Sequence, residues 1–261
     1  MAANSARQAD GSAGDANYGV IGASYSAYRQ PEPAIAAQIL EALGPARRVL
    51  NLGAGAGSYE PTDREVVAVE PSASMRVQRP PHLSVAIDAV AENLPFPDGA
   101  FEASMASFTV HQWKDLAAGL RELRRVTRGP VVILSCDPAL VQEFWLNDYA
   151  PDALAAEARR YPSPSAIGDV MGGTTVSQPV MIPFACRDGF NEAYYGRPEM
   201  FLDDAARAAN SAWSFVASET EKGYVAHLAR DLASGAWDAR HAALRTQPSY
   251  DGSLRLIVSR P

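Results

Sequence analysis

A short apolar run that ends in a cluster of glycines constrains this chain more than any other feature. Segment 48–52 (RVLNL) is nearly continuous in apolar residues and leads directly into Gly53, Gly55 and Gly57. Such runs are typical of strands buried on both faces of a parallel sheet, and closely spaced glycines permit a tight turn without obstructing side chains. The pattern predicts the first strand of an α/β sheet, with a ligand lying across its carboxyl end.

Further apolar runs alternate with helical segments along the chain. Strands are predicted at 66–69, 83–87, 101–108 and 131–134, and an amphipathic helix at 115–127 precedes the last of them. This alternation favours right-handed crossovers and a doubly wound, mostly parallel sheet. Segments 175–183 and 253–259 are predicted as two final strands at the sheet edge, and the mostly helical stretch between them is predicted to be a lid.

Length and composition suit one large core with a helical cap. The chain has 261 residues, of which 47% are hydrophobic and 20% charged, as in ordinary globular proteins. We predict a disordered tail at 1–17. The ligand-binding α/β core is predicted at 18–137, 174–183 and 252–261, and the cap at 138–173 and 188–247.

Charge and cysteine content exclude several classes of partner. The 30 acidic and 23 basic residues give a net charge of −7, and the basic residues are scattered, so we expect no nucleic-acid partner. Cys136 and Cys186 form no C-x-x-C pair or Cys/His cluster, so we expect neither a disulfide framework nor a metal. Without a run of about 20 apolar residues or an apolar signal-peptide core, we expect a soluble, cytoplasmic protein with no membrane partner.

Glu70, which ends the second strand run, is predicted to lie beside the glycine turn. A carboxylate there can accept two hydrogen bonds from a ribose diol. The glycine spacing is G-x-G-x-G rather than the dinucleotide pattern G-x-G-x-x-G, and Pro61 interrupts the segment that follows. A nicotinamide oxidoreductase is therefore disfavoured, as is also indicated by the lack of an obvious Tyr-x-x-x-Lys proton-donor motif.

Four motifs in order resemble the class I S-adenosylmethionine-dependent methyltransferases, in particular their type 11 small-molecule branch. They are VLNLGAGAG at 49–57, VAVEPS at 67–72, AENLPFPDGAF at 91–101 and LRELRRV at 120–126. The resemblance covers about 18–137. It implies a Rossmann-like, seven-stranded sheet that binds S-adenosylmethionine and releases S-adenosylhomocysteine.

The resemblance also implies cofactor-binding residues. The glycine loop would pass under the methionine part of the cofactor, Glu70 would hold the ribose, and Ala91 and Glu92 would lie against the adenine. An N-terminal Tyr and Arg fold over the cofactor in many relatives, and Arg29 would then pair with the methionine carboxylate. The full set of candidates is Tyr25, Arg29, Gly53, Ala54, Gly55, Glu70, Pro71, Ala91, Glu92 and Ser107.

The chain departs from the family pattern in three places. Asn51 stands where the family usually has an acidic residue, and Val90 stands where an aspartate commonly precedes the Ala-Glu pair. The backbone, Glu92 or Asp88 would then bind adenine N6. The helix after the glycine loop is also shortened.

His111 is the candidate catalytic residue, because it follows the fourth predicted strand and its ordinary pKa suits proton transfer near neutrality. A packing role for His111 is the alternative. Candidate substrate residues are Trp113, Trp145, Tyr149, Tyr194, Tyr195 and Arg197. We expect in-line methyl transfer to an O or N atom of a small molecule by a monomer or homodimer. The alternative is an inactive cofactor-binding module or partner subunit.

Overall fold

The computed structural model describes residues 27–261, so the tail predicted at 1–17 and the candidate Tyr25 lie outside the described residues. A six-stranded sheet in the order β2-β1-β3-β4-β8-β5 forms its centre. The strands are β1 (Arg48–Leu52), β2 (Glu65–Val69), β3 (Ala103–Ser107), β4 (Val131–Cys136), β5 (Thr174–Pro179) and β8 (Leu254–Arg260). Two short strands, β6 (Ile182–Pro183) and β7 (Ser249–Tyr250), form a separate antiparallel pair.

The strand directions confirm the predicted α/β, mostly parallel fold. β1 pairs in parallel with β2 and β3, and β3 pairs in parallel with β4. β8 runs antiparallel between β4 and β5, which gives the hairpin-like edge predicted from the last two strand patterns. Because the chain winds from β1 to β2 on one side and returns to β3 on the other, the strand order reverses at β1, where open α/β sheets bind ligands.

Helices cover the sheet and fill the two insertions. The α-helices are α1 (Pro33–Leu43), α2 (Ala73–Arg76), α3 (Leu116–Arg125), α4 (Pro138–Val141), α5 (Pro151–Arg160), α6 (Pro164–Met171), α7 (Asp204–Ala208), α8 (Ser218–Ser234) and α9 (Ala236–His241). The 3₁₀ turns are Val110–Gln112, Trp145–Asp148, Asn191–Tyr194, Pro198–Leu202, Ser211–Phe215 and Ala242–Arg245. In α1 the Glu32 carboxylate caps the N-terminus by accepting from the Ala34 amide, and Pro33 begins the helix where its missing N–H costs nothing.

One apolar core joins the sheet to the C-terminal insertions. Val49, Met105 and Leu134 on one sheet face pack in the same cluster as Phe144 and Trp237 from the insertions. The opposite sheet face packs against a second cluster that includes α3. Since the helical segments share the sheet's own core, they are fixed to the carboxyl end of the strands by burial of large apolar side chains.

The prediction of a strand at 83–87 is wrong, and within residues 27–261 the main sheet has six strands rather than seven. Ile87 forms only an isolated bridge with Val69. Val85 is 90% exposed and Ile87 38% exposed, so the run is not buried on both faces. An apolar run without burial does not gain the free energy that orders a further strand. Within residues 27–261, no helix is long and apolar enough to cross a membrane.

Candidate functional site

A cleft of about 840 Å³, partly open to solvent, lies at the carboxyl ends of β1, β2 and β3. Nine of the residues predicted from sequence line it: Gly53, Ala54, Gly55, Glu70, Pro71, Ala91, Glu92, Ser107 and Trp113. Asn51, Thr109 and Gln112 also line the cleft. The structure therefore brings the glycine loop, the end of the second strand and the 91–92 segment together around one space.

Gly53 makes the first turn of the loop possible. Its φ is +67°, and a Cβ atom there would lie 2.0 Å from the Thr109 Oγ1 atom, so only glycine fits. The amides of Gly53 and Ala54 both donate to the Val69 carbonyl oxygen at 2.9 Å. These bonds tie the loop to the end of β2 and leave the cleft above it free of side chains.

The Glu70 carboxylate organises the same loop and borders the cleft. It accepts hydrogen bonds from the Gly55 amide and the Ser72 amide, both at 2.8 Å. Burial raises the pKa of Glu70, and the two amide donors oppose that rise. A carboxylate has about four lone-pair sites. The two that remain suit the two hydroxyl groups of a ribose.

A buried ion pair supports the loop from below. Arg79 donates to both oxygens of the Glu60 carboxylate, at 2.8 and 2.9 Å, and the two side chains are 4% and 1% exposed. Asn51 donates to the same carboxylate at 3.0 Å, and Arg79 also reaches the Gly55 carbonyl oxygen at 3.4 Å. A buried carboxylate therefore lies next to Asn51, and Arg79 balances its charge.

A second, smaller cavity lies beside the cleft, and Phe108 lines both spaces. We call it the inner cavity. Its lining is polar and aromatic: Arg29, Phe108, His111, Glu157, Arg160, Tyr161, Phe190 and residues 209–212. Phe108 has a φ of +51°, a left-handed conformation that a non-glycine residue adopts at a cost of about 1–3 kcal/mol. Strain of this kind clusters at functional sites.

His111 lies in the inner cavity with an unpaired ring nitrogen. Its Nδ1 atom is buried and has no hydrogen-bond partner, and its ring centroid lies 4.5 Å from that of Tyr161. Burial, together with the charges of Arg160 and Arg29, holds the pKa of His111 well below its ordinary value of 6.5. The imidazole is therefore neutral near pH 7, with a nitrogen available to accept a proton.

Arg29 does not lie where the resemblance places it. Its guanidinium forms a buried ion pair with Asp188 and lies 5.0 Å from the Phe108 ring centroid, in the inner cavity rather than the cleft. Asp188 is thus the ion-pair partner of the Arg29 guanidinium, which the resemblance assigns to the methionine carboxylate of the cofactor. Arg29 therefore lines the inner cavity beside Phe108.

Five of the six predicted substrate residues line neither space. Trp145 and Tyr195 are buried in the apolar core, where the Trp145 indole N–H donates to the Tyr195 carbonyl oxygen at 2.8 Å. Tyr149 donates to Asp231 at 2.8 Å. Tyr194 packs beneath the Arg197 guanidinium, which donates to the Cys186 and Ala193 carbonyl oxygens. In the structure these five side chains contact other parts of the C-terminal half of the chain rather than the cleft or the inner cavity.

Sequence reasoning missed Thr109, Gln112, Glu157 and Arg160. Gln112 stands between the candidates His111 and Trp113, so position in the motif could have found it. Glu157 and Arg160 lie on α5, and no sequence signal places that helix against β3. Asp88, one of the options for the adenine, does not line the cleft and pairs with Arg76 at 3.4 Å. Among residues 27–261, no cluster of three or more His, Cys, Asp or Glu side chains is arranged to hold a metal.

Comparison with known proteins supports the fold and matches part of the chain to a methyltransferase domain. Residues 50–133 match the family described as methyltransferase domain. A structure from Anabaena variabilis, described as a proposed methyltransferase of an antibiotic biosynthesis pathway, superposes with a TM-score of 0.83 at 27% identity, covering 90% of this chain and 99% of that one. A Thermotoga maritima structure described as a SAM-dependent methyltransferase has a TM-score of 0.50 at 16% identity, covering 93% of this chain and 91% of that one, and shows the fold alone.

Curated relatives match over about a third of the chain. The demethylmenaquinone methyltransferase of Beutenbergia cavernae is 41% identical over 99 residues, which are 34% of this chain and 40% of that protein. The match thus spans about two fifths of the length of the curated relatives. The glycine turn, the strand-end Glu70 and the sheet order agree with these similarities: the chain has the Rossmann-like fold of S-adenosylmethionine-dependent methyltransferases, and residues 50–133 match a methyltransferase domain.

Proposed function

We propose that this protein transfers the methyl group of S-adenosylmethionine to an O or N atom of a small molecule. The observation that carries the proposal is the cleft in which the glycine loop and Glu70 meet at the switch point of the sheet. A nucleoside ligand fits this cleft because Gly53 has no side chain there and Glu70 retains lone pairs for a ribose diol. When bound, S-adenosylmethionine supplies an electrophilic methyl group on a sulfonium.

The inner cavity is the proposed seat of the acceptor. It adjoins the cleft at Phe108, which lines both spaces, so an acceptor held there would lie next to the proposed cofactor cleft. Its walls offer aromatic faces from Phe108 and Phe190 together with polar groups from Arg160 and Glu157. Such a lining suits a small, partly aromatic and hydrogen-bonding molecule better than a polymer.

His111 is the proposed proton acceptor for an acceptor that must lose a proton. Its unpaired Nδ1 is a ring nitrogen that can receive the proton of an acceptor hydroxyl as the methyl group is transferred. Burial and the neighbouring arginines lower the pKa of the imidazole, so His111 does not retain that proton. The side chain therefore acts on the acceptor, whereas positioning of the two reactants accounts for the rest of the rate. The alternative, a cofactor-binding module without turnover, shares the cleft but does not need the inner cavity.

Titration of the protein with S-adenosylmethionine and with NADH by calorimetry tests the cofactor. Removing a charged hydrogen-bond partner in Glu70→Ala is expected to weaken methyl-donor binding by about 1.5–3 kcal/mol, or more than tenfold. Glu65→Ala is the matched control, because Glu65 lies at the exposed opposite end of the same strand. Failure of the wild-type protein to bind the methyl donor would refute the proposed function.

Release of S-adenosylhomocysteine in the presence of small phenols, carboxylic acids and amines tests turnover. His111→Asn is expected to lower turnover of hydroxyl acceptors by about 10²–10⁴-fold while leaving cofactor binding unchanged. His227→Asn, on the exposed face of α8, is the control. Cofactor binding without release for any acceptor would favour the inactive binding module.

A further inference from the structure

We infer that Gln112 reads the edge of the adenine ring, a role that rests on the proposed function. Gln112 lines the cleft and is 9% exposed, yet neither its amide oxygen nor its amide nitrogen has a hydrogen-bond partner. Buried amides are almost always paired in folded proteins. This side chain therefore has a buried donor and a buried acceptor that both lack a partner. A ligand that offers one hydrogen-bond acceptor and one donor would satisfy them.

The purine end of the cleft can be located from Glu70. If Glu70 holds the ribose, the base lies on the side of the cleft that borders Glu70 rather than over the glycine loop. The Glu70 amide donates to the Ile87 carbonyl oxygen at 3.0 Å, so the 88–92 segment leaves the sheet at this point. Pro71, Met75 and Ala91 line the cleft there and offer apolar surface to a flat ring.

Gln112 belongs to the same end of the cleft. Gly119 lies against both Trp113 and Ala91, since a Cβ atom on it would be 2.6 Å from the Trp113 ring and 3.1 Å from the Ala91 Cβ. The Asp115 amide also donates to Glu92 at 3.1 Å. The 112–115 segment is therefore docked on the 91–92 segment, and Gln112, the first residue of that segment, lines the same cleft as Ala91 and Glu92.

The chemistry of the two groups is complementary. Adenine presents its 6-amino donor beside a ring-nitrogen acceptor, and a glutamine amide pairs with such an edge through two hydrogen bonds. Other polar side chains in this region are already engaged: Glu92 accepts from the Asp115 amide, and Asp88 pairs with Arg76. Gln112 thus takes the role that the aspartate absent from position 90 was expected to play.

The test compares two ligands by calorimetry: S-adenosylhomocysteine and its analogue that carries unsubstituted purine in place of adenine. The wild-type protein is expected to prefer the adenine form by roughly tenfold to a hundredfold. Gln112→Leu, which keeps the size of the side chain, is expected to bind both ligands equally and weakly. Glu70→Gln is the control, because it should weaken both ligands by one common factor and preserve the preference.

Thermal unfolding of the ligand-free variants separates this role from a structural one. Replacing an unpaired buried amide by an apolar group of similar shape is expected to leave the melting temperature of Gln112→Leu equal to that of the wild-type protein or raise it. A lower melting temperature with an unchanged ligand preference would overturn the inference while leaving the proposed function intact. No binding of S-adenosylhomocysteine by the wild-type protein would instead refute the proposed function.

Discussion

The ion pair beneath the glycine loop gives the sharpest test of how the cofactor cleft is held. Arg79 and Glu60 are almost fully buried and joined by two hydrogen bonds, and Asn51 adds a third to the same carboxylate. Arg79→Met would leave that carboxylate buried beside an apolar chain. Removal of one member of a buried pair costs about 3–5 kcal/mol, because the other charge is stranded.

The double variant should lose far less stability than the two single variants lose together. Glu60→Gln alone strands the guanidinium, at a similar cost of about 3–5 kcal/mol. In the double variant no charge remains, and the amide oxygen introduced at position 60 can still accept from Asn51. We therefore expect a loss of only about 1–3 kcal/mol for one imperfectly paired amide.

Urea unfolding followed by circular dichroism measures these free energies. The exposed pair Arg48 and Glu65, whose side chains are 43% and 60% exposed, is the control, and its removal should change stability little. Additive losses in the Glu60–Arg79 cycle would refute the reasoning, since they would mean that the two side chains do not interact across the loop.

The geometry of the two spaces supports three further predictions. Gly53→Ala forces a Cβ atom against Thr109 in a left-handed conformation, so calorimetry should detect no methyl-donor binding even if the variant folds. Burial holds the pKa of His111 below 6.5 in the folded state but not in the unfolded state. The free energy of unfolding should therefore be highest above pH 6.5 and decrease as the pH falls below that value. Urea titrations of His111→Phe should show a smaller decrease over the same pH range. Trp145→Phe should lower the melting temperature while leaving ligand affinity unchanged, whereas Phe108→Ala should change turnover.

The cofactor half of the fold could be predicted because its signals are local. The features that predicted it are close in sequence: the run 48–52, the glycines that follow it and Glu70. A strand that ends in a tight turn needs these residue types for its own backbone, whatever the rest of the chain does. The failed strand at 83–87 shows the limit of this reasoning, since its apolar side chains are exposed and only tertiary packing decides that. Apolar periodicity records which residues prefer burial, but not whether a neighbour is present to bury them.

The region around the inner cavity could not be predicted because its contacts join distant parts of the chain. Trp145 and Tyr195 contact each other across 50 positions, and both turn toward the sheet rather than the cleft. Aromatic residues at helical spacing fit either face equally well, so their sequence does not separate a core from a pocket. The inner cavity instead draws on α5 and on residues 209–212, whose small and charged side chains carry no motif.

A single network connects the two halves of the site. Tyr59 directly follows the glycine loop, and its hydroxyl donates to Asp188 at 2.8 Å. Asp188 in turn pairs with Arg29, which lies over the Phe108 ring between the cleft and the inner cavity. In-line transfer requires reacting atoms held about 3–3.5 Å apart, so a cofactor seat and an acceptor seat must not move independently. Tyr59 and Asp188 are buried, and Arg29 and Phe108 are half-buried. Because these contacts join the glycine loop to the lining of the inner cavity, movement of the loop would shift that lining with it, and the fold itself would set the distance between the two reactants.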